Sequence, residues 1–192
     1  MKRFLGALAC ALVAAVATPA SANLVVNGGF ETGDFTGWTV GPDIFTFVTG
    51  CNFESYGCHS GNYFAALGTV GSDNSMSQTV SDIAGKTLVF SFWLASDGGT
   101  PNDFSASWDG TQLMSQTDIA YQGYTKYSFD VSATGTDTLS FLFRNDPGYL
   151  GLDDVSLNYA GAVPEPASLA LLGTGLVAAA GAMRRRRKQK KA

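Results

Sequence analysis

Few of the residues that enzymes use for catalysis are present in this sequence. The chain of 192 residues has one histidine, His59, and three cysteines. It contains no G-x-S-x-G, H-E-x-x-H or phosphate-binding-loop pattern, the marks of common hydrolases, zinc peptidases and nucleotide-binding enzymes. Glycosidases use a pair of carboxylates that is defined by its separation in space, so a small glycoside hydrolase stays open as an alternative. We predict a protein that is not an enzyme.

Basic residues are scarce in the middle of the chain. Between residues 23 and 162 there are three, Lys86, Lys126 and Arg144, against fifteen acidic residues, a formal net charge of −12. A surface this acidic repels the phosphate backbone of DNA or RNA. The composition therefore excludes nucleic acid as a partner and favours neutral partners or partners bridged by calcium.

Long apolar runs are confined to the two ends of the chain. At the N-terminus, cations at positions 2 and 3 precede an apolar stretch over residues 4–17 and an Ala-Ser-Ala site at residues 20–22. This order is typical of a secretory signal peptide and its cleavage site. We predict a signal peptide over residues 1–22 and a mature chain that begins at Asn23. A lipoprotein signal at Cys10 is the alternative, but Cys10 lies very close to the cations.

At the C-terminus, a Val-Pro-Glu-Pro segment precedes a second apolar run from Ala167 to Met183 and a basic tail over residues 184–192. As a helix the run would extend about 26 Å at roughly 1.5 Å per residue, close to the ~30 Å of the hydrocarbon layer. Clusters of arginine and lysine stay on the cytoplasmic side of a membrane. The pattern therefore predicts a transmembrane helix over residues 167–183, with the preceding domain outside.

The order of these three pieces resembles the PEP-CTERM sorting signal of Gram-negative bacteria that make exopolysaccharide. The resemblance implies a sorting segment over residues 161–192. It implies that an exosortase, a membrane-embedded cysteine peptidase or transpeptidase, recognises Pro164, Glu165 and Pro166 and removes the tail. The protein would then be a substrate of that enzyme. It would be anchored in the inner membrane as a precursor and afterwards lie at the outer surface or be secreted.

Two cysteines, Cys51 and Cys58, remain in the predicted mature chain. An oxidising compartment favours a disulfide between them. The alternative is a metal site shared with His59. Two cysteines and one histidine lack a fourth ligand, however, and their spacing is not a zinc pattern.

Between residues 23 and 160, hydrophobic and polar residues alternate with a period of two, which is typical of β-strands. The predicted strands are Leu88 to Leu94, Phe104 to Trp108, Tyr127 to Val131, Leu139 to Phe143 and Val155 to Tyr159, with weaker ones at Leu24 to Val26, Ile44 to Val48, Tyr63 to Leu67 and Met76 to Val80. Asp109 and Gly110 favour a type I′ hairpin turn. Eight or nine short strands predict an all-β fold, an antiparallel β-sandwich.

Three stretches of this domain carry a further resemblance. They read N-L-V-V-N-G-G-F-E-T-G-D-F-T-G-W at residues 23–38, H-S-G-N-Y-F-A-A-L-G at residues 59–68 and G-L-D-D-V-S-L at residues 151–157. Their order resembles the galactose-binding-like jelly rolls, which include many carbohydrate-binding modules. The resemblance implies a jelly-roll β-sandwich, and it implies a structural calcium ion held by Glu31 and Asp153.

Alternation along the last strand places Asp153 on the same face as Val155 and Leu157, so we expect its side chain to point into the end of the sandwich. A buried carboxylate needs a cation or hydrogen-bond donors, and calcium takes several oxygen ligands. The alternative is that Glu31 and Asp153 cap turns or meet water.

Sugar binding would need exposed aromatic rings together with polar groups that bind hydroxyls. Trp38 and Trp108 are predicted to lie in the core. Tyr149, in a turn-like N-D-P-G-Y stretch, and Trp93, on the less apolar face of its strand, are the predicted ligand contacts. We predict a non-catalytic surface or matrix protein that associates with the cell's exopolysaccharide. The alternative is a structural or adhesive surface protein without specific sugar binding.

Overall fold

Ten β-strands make up the regular structure of residues 23–161, the part of the chain that the computed structural model describes. They are β1 (Thr39–Val40), β2 (Thr46–Gly50), β3 (Tyr63–Leu67), β4 (Asn74–Ser81), β5 (Thr87–Ser96), β6 (Asn102–Trp108), β7 (Thr111–Thr117), β8 (Gln122–Ser132), β9 (Thr136–Asn145) and β10 (Leu150–Tyr159). The predicted signal peptide, sorting box and transmembrane helix lie outside the described residues. Within residues 23–161, no helix is long and apolar enough to cross a membrane.

The strands form two five-stranded antiparallel sheets. Sheet A has the order β1-β4-β9-β6-β7, and sheet B has the order β2-β3-β10-β5-β8. Neighbouring strands pair antiparallel in both sheets. The predicted all-β sandwich is therefore confirmed.

Aromatic side chains from both sheets fill the core. Phe90 and Phe92 of β5 are fully buried and meet Phe104 and Phe141 of sheet A. The ring centroid of Phe92 lies 5.1 Å from that of Phe141 and 5.6 Å from that of Phe104. Such edge and tilted contacts add to the hydrophobic gain of burying each ring. The period-two pattern of the sequence thus marks the inward-facing phenylalanines of these strands correctly.

Trp38 and Trp108 are buried, as predicted. The indole N–H of Trp108 donates a hydrogen bond to the carbonyl of Ser132 at 3.0 Å, which satisfies the one polar group of that ring. Asp109 and Gly110 follow with φ angles of 48° and 74°. Both angles are positive, as a type I′ turn requires, and the pair joins β6 to β7. Strand β7 itself is mostly polar, so its sequence gave no clear alternation.

The predicted strand from Leu24 to Val26 is wrong. These residues lie in turns because Asn27 has a positive φ of 51° and two glycines follow it. The segment is nevertheless fixed to β10, since the Leu24 N–H donates to the carbonyl of Leu157 at 2.9 Å. Strand β2 also begins later than predicted, because Ile44 lies in a loop with 84% of its surface exposed.

The close approach of this N-terminal segment to β10 predicts a strong effect of a methyl group at Gly28. A Cβ atom there would lie 2.0 Å from the carbonyl oxygen of Val155. This oxygen is part of the backbone, so it cannot move aside as the end of a flexible side chain could. We expect Gly28→Ala to lower the free energy of unfolding by roughly 2 kcal/mol, as overpacking of a tight contact does. Urea denaturation followed by tryptophan fluorescence measures it.

The matched control is Gly123→Ala on β8, where an added Cβ would meet no atom within 4 Å. The two variants should differ clearly in their free energies of unfolding. Equal stabilities would contradict the described packing of residues 23–30 on β10.

Candidate functional site

A long connection between β2 and β3 lies over the outer face of sheet B. We call residues 51–62 the covering segment. A disulfide joins Cys51 to Cys58 within it, with an S–S distance of 2.04 Å. The predicted pairing is confirmed, and the alternative of a metal site shared by these cysteines and His59 is wrong.

Tyr56 is the side chain through which the covering segment packs on the sheet. Its ring lies over Gly151, where a Cβ atom would come within 2.5 Å of it. Its ring centroid is 5.6 Å from that of Phe64 and 5.8 Å from that of Tyr124. Phe64 is fully buried although it lies on the face of β3 opposite to the core residues Ala65 and Leu67. The outer face of sheet B is therefore apolar here and covered.

Trp93 lies beneath His59 of the covering segment. The two rings are stacked, with centroids 3.8 Å apart and planes inclined by 20°. The hydroxyl of Tyr124 donates to the carbonyl of Gly57 at 3.2 Å and holds the same region of the segment. Burial raises the pKa of the Tyr124 phenol well above its usual range, so this donor stays protonated. Trp93, a predicted ligand contact, is thus partly covered by the protein itself.

Tyr149, the other predicted ligand contact, is half-buried. Its ring contacts Phe53, with centroids 5.0 Å apart, and Phe47, with centroids 5.6 Å apart. Its backbone N–H donates to a carboxylate oxygen of Asp97 at 2.9 Å. Tyr121 is more exposed, with 63% of its surface open to solvent. Tyr149 therefore supports Phe53 from below.

The position of Asp153 differs from the prediction. A β-bulge interrupts β10, so that Asp153 pairs with Trp93 and Ser156 pairs with Ser91. Asp153 consequently shares the outer face with Trp93, whereas Val155 belongs to the core. The expectation that Asp153 and Val155 lie on one face is wrong. The reason is the extra residue of the bulge, which reverses the alternation.

Asp153 is nevertheless fully buried, under the covering segment. One carboxylate oxygen accepts N–H bonds from His59 at 2.9 Å and from Ser60 at 3.2 Å, and the other accepts the N–H of Asp154 at 2.7 Å. Asp154 has a positive φ of 46° and is only partly exposed; its own carboxylate lies 2.5 Å from Nδ1 of His59. Burial, and secondarily the charge of Asp154, raise the pKa of Asp153 to about 6.

Glu31 holds the other end of the covering segment. It accepts hydrogen bonds from the backbone N–H groups of Asn62 at 2.9 Å and Tyr63 at 3.1 Å. A Cβ atom at Gly29 would lie 3.8 Å from Cγ of Glu31 and 3.9 Å from Oδ1 of Asp153. The two predicted calcium ligands therefore both lie near Gly29.

The fit of these residues to a calcium ion is incomplete. Among residues 23–161 there is no group of three or more His, Cys, Asp or Glu side chains placed to hold a metal. Both carboxylates already accept backbone N–H bonds, which is the donor alternative for a buried carboxylate. Calcium needs six to eight oxygen ligands, so backbone carbonyls would have to supply most of them. Calcium at Glu31 and Asp153 stays a prediction.

A groove of about 520 Å³ opens beside the covering segment, at the edge of sheet B. Its lining residues are Thr49, Gly50, Cys51, Asn52, Phe53, Asn62 and Tyr63. None of them was predicted from the sequence as a ligand contact. The only signal for them was the placement of Phe53 and Tyr63 among asparagines, glycines and serines. A second groove of about 570 Å³ lies between Pro42, Asp43, Ile44, Phe45, Val70 and Ser72.

Comparison with known proteins supports both resemblances. The family model for the PEP-CTERM protein-sorting motif matches residues 162–187. The chain therefore carries this motif, which indicates an exported protein that is anchored at the membrane and then processed by an exosortase. No curated protein matches the chain.

Among solved structures, residues of this chain align with TmCBM61, determined in complex with β-1,4-galactotriose. The identity is 27% and the TM-score 0.52, over 72% of this chain and 99% of that one. The CBM22-1 xylan-binding domain of Paenibacillus barcinonensis Xyn10C is 18% identical, with a TM-score of 0.50 over 77% of this chain and 100% of that one. A family 22 module of Clostridium thermocellum Xyn10B is 14% identical, with a TM-score of 0.52 over 71% and 94%. The sandwich has the jelly-roll fold of carbohydrate-binding modules, as predicted.

The disulfide predicts a measurable contribution to stability. Replacement of both Cys51 and Cys58 by serine should lower the free energy of unfolding by about 2.5 kcal/mol, because a short closed loop restricts the unfolded chain. The far-ultraviolet circular dichroism of the sandwich should persist. Chemical denaturation of the wild type in reductant is the control and should show the same loss. An unchanged midpoint would contradict a stabilising role.

The raised pKa of Asp153 predicts a specific dependence of stability on pH. The folded state holds this proton up to about pH 6, whereas the unfolded chain releases it near 3.8, the ordinary pKa of an aspartate side chain. The protonated Asp153 therefore makes its full contribution to the free energy of unfolding below about pH 4. This contribution, up to roughly 3 kcal/mol, is lost as the pH rises to about 6. Urea denaturation of the wild type and of Asp153→Asn across this window measures the difference.

The variant should lack this loss, so the free energy of unfolding of the wild type, relative to that of Asp153→Asn, should fall as the pH rises from about 4 to 6. Asp130→Asn, at an exposed position of β8, is the matched control and should follow the wild type. Parallel curves for wild type and Asp153→Asn would show that Asp153 does not titrate in this range.

Proposed function

We propose that this protein is a non-catalytic, exported module that associates with exopolysaccharide at the surface of a Gram-negative cell. The single observation that carries the proposal is the likeness to a carbohydrate-binding module of known ligand, at 27% identity over 99% of its length. The sorting motif supports the location, because it indicates a product delivered to the cell exterior. The glycan there would be the partner of the domain, and the exosortase its processing enzyme.

The charge of the domain narrows the class of partner. A net charge of −12 between residues 23 and 162 repels polyanions in the absence of a bridging cation. Neutral glycans, or acidic glycans bridged by calcium, are compatible with this charge. Glu31 and Asp153 are the residues that we propose for calcium, through lone pairs of carboxylate oxygens that also accept backbone N–H bonds.

His59 supports the non-catalytic assignment. The ring of this one histidine is stacked on Trp93 and paired with Asp154, so it is occupied as a structural group. The neighbour TmCBM61, at 27% identity, was determined in complex with β-1,4-galactotriose, which favours a binding role over a catalytic one. We therefore propose that the protein is not an enzyme and that a small glycoside hydrolase is the less favoured alternative.

A second candidate function rests on a different surface. Ile44, Val70 and Phe45, which border the second groove, expose 84%, 56% and 40% of their surfaces. Clustered exposed apolar side chains are typical of protein contacts. A structural or adhesive surface protein that binds other proteins through this patch, without specific sugar affinity, is the alternative.

Affinity electrophoresis tests the proposed function. The exported, oxidised protein is run in native gels cast with the producing organism's exopolysaccharide, with and without a calcium chelator. We expect retardation in the polysaccharide gel compared with a gel without it. Retardation that disappears on chelation would support calcium as part of the binding unit, and retardation that persists would remove calcium from the account.

Bovine serum albumin is the non-binding standard. A thermal unfolding curve of a separate aliquot shows that each sample is folded before it is run. Equal mobility of folded protein in both gels would contradict carbohydrate association and leave the adhesive alternative. The variant Ile44→Ser, which reduces the apolar patch, should leave retardation unchanged.

A further inference from the structure

We infer that the glycan-binding site is the groove at the edge of sheet B, between β2, the start of β3 and the covering segment, and that it takes an uncharged hexopyranose chain. The inference rests on the proposed function and names the surface and ligand class for it. It departs from the sequence-based expectation, which placed the ligand on Trp93 and Tyr149.

The covering segment closes the outer face of sheet B over Gly151 and Trp93. Tyr56 lies over Gly151 and leaves no room for a methyl group there, and His59 lies flat against Trp93. The Tyr56 hydroxyl donates to the carbonyl of Tyr149 at 3.3 Å, so the segment is bonded to the sheet as well as packed on it. A sugar ring stacked on Trp93 would have to displace the histidine ring. The covered face is therefore closed to ligand.

The groove combines exposed aromatic rings with exposed side-chain amides. Phe53 of the covering segment and Tyr63 at the start of β3 both line the groove, and they expose 42% and 38% of their surfaces. Sugar rings offer apolar C–H faces to such aromatic rings and hydroxyls to polar groups. Asn52 and Asn62 are both exposed, so each offers an amide that can donate and accept hydrogen bonds. This mixture of a few aromatic and a few polar side chains is typical of small-ligand sites.

The side chains that line the groove are held in place by packing and hydrogen bonds. Phe53 is fixed from below by Tyr149 and from the side by Phe47, with centroid distances of 5.0 Å and 5.1 Å. Asn62 and Tyr63 are held through their backbone N–H groups by Glu31. Preorganised aromatic groups lose little conformational entropy when a ligand binds. Tyr149 is therefore a positioning residue for the groove rather than a ligand contact.

The charges in and around the groove favour an uncharged ligand. None of the described residues that line the groove is charged. Glu31 lies directly behind Asn62 and Tyr63, and Glu54 follows Phe53 in the chain. Lys126, opposite Trp93 on β8, is separated from β3 by two intervening strands. An anionic sugar would meet negative charge without a balancing cation, so the geometry favours a neutral chain.

The test is affinity electrophoresis of the full chain, purified with its disulfide intact. The gels contain the organism's exopolysaccharide, hydroxyethylcellulose or β-1,4-galactan. Phe53→Ala and Tyr63→Ala should each weaken binding about tenfold, as loss of a central aromatic contact does. The double variant Asn52→Ala, Asn62→Ala should weaken it about fivefold, because it removes hydrogen bonds to sugar hydroxyls. Tyr121→Ala, at an exposed tyrosine outside the groove, should bind like the wild type.

Folding is controlled separately. Phe53→Ala removes packing contacts, so its thermal unfolding is measured beside its affinity. The asparagine variant changes only exposed side chains and keeps the backbone N–H of Asn62 that Glu31 accepts, so its fold should be intact. Loss of affinity in this folded variant cannot come from unfolding and would support the groove directly.

The outcomes separate the two proposals. Wild-type binding that survives in all groove variants would overturn the groove while the proposed function stands. Absence of wild-type binding to every polysaccharide would overturn the proposed function and the groove together. Carboxymethylcellulose is the anionic counterpart of hydroxyethylcellulose. Stronger retention on hydroxyethylcellulose supports a neutral ligand, and equal or weaker retention overturns that part of the inference.

Discussion

The carboxylate of Asp153 is the contact on which the arrangement of sheet B depends. It is fully buried on the outer face of the sheet, and it accepts the backbone N–H groups of His59, Ser60 and Asp154. An uncompensated carboxylate at this place would be costly, so the three donors and the covering segment that carries two of them belong together. The bulge in β10 puts the carboxylate on this face. Without the bulge it would point into the core.

The covering segment gives the domain a closed face and an open edge. The disulfide shortens its free length, Tyr56 and His59 fill the space over the sheet, and Asp153 and Glu31 bind its C-terminal half through main-chain hydrogen bonds. The groove at the edge of sheet B, with Phe53 and Tyr63, stays exposed. The same contacts that close the sheet thus create the groove, so stability and ligand binding share one set of interactions.

Much of the fold could be predicted because alternation is strong where one face is buried. Tyr63 to Leu67 is a strand as predicted, and Asp109 with Gly110 forms the expected hairpin turn. The sorting motif could also be read, since it depends on the order of a short box, an apolar run and cations. Strand β7 was missed because its residues are largely polar, and Leu24 to Val26 was misassigned because positive φ angles break an apolar stretch.

The site was harder to predict, for reasons of geometry. A single extra residue in β10 reversed the face of Asp153, and one-dimensional alternation cannot reveal a bulge. Trp93 was predicted to be exposed for a ligand because the ring stacked on it, that of His59, comes from a distant part of the chain. Phe53 gave no periodic signal, since it lies in a loop whose path is set by the disulfide and by Tyr149.

Amide hydrogen exchange of the covering segment tests the central claim, that Asp153 fixes this segment on sheet B. The account predicts that the amides of His59 and Ser60 exchange slowly, as those of β3 do, although they lie in a loop. It also predicts that Asp153→Asn releases them while the amides of β5 stay protected. Fast exchange of both amides in the wild type, at the rate of the open turn at Gly71, would contradict the account.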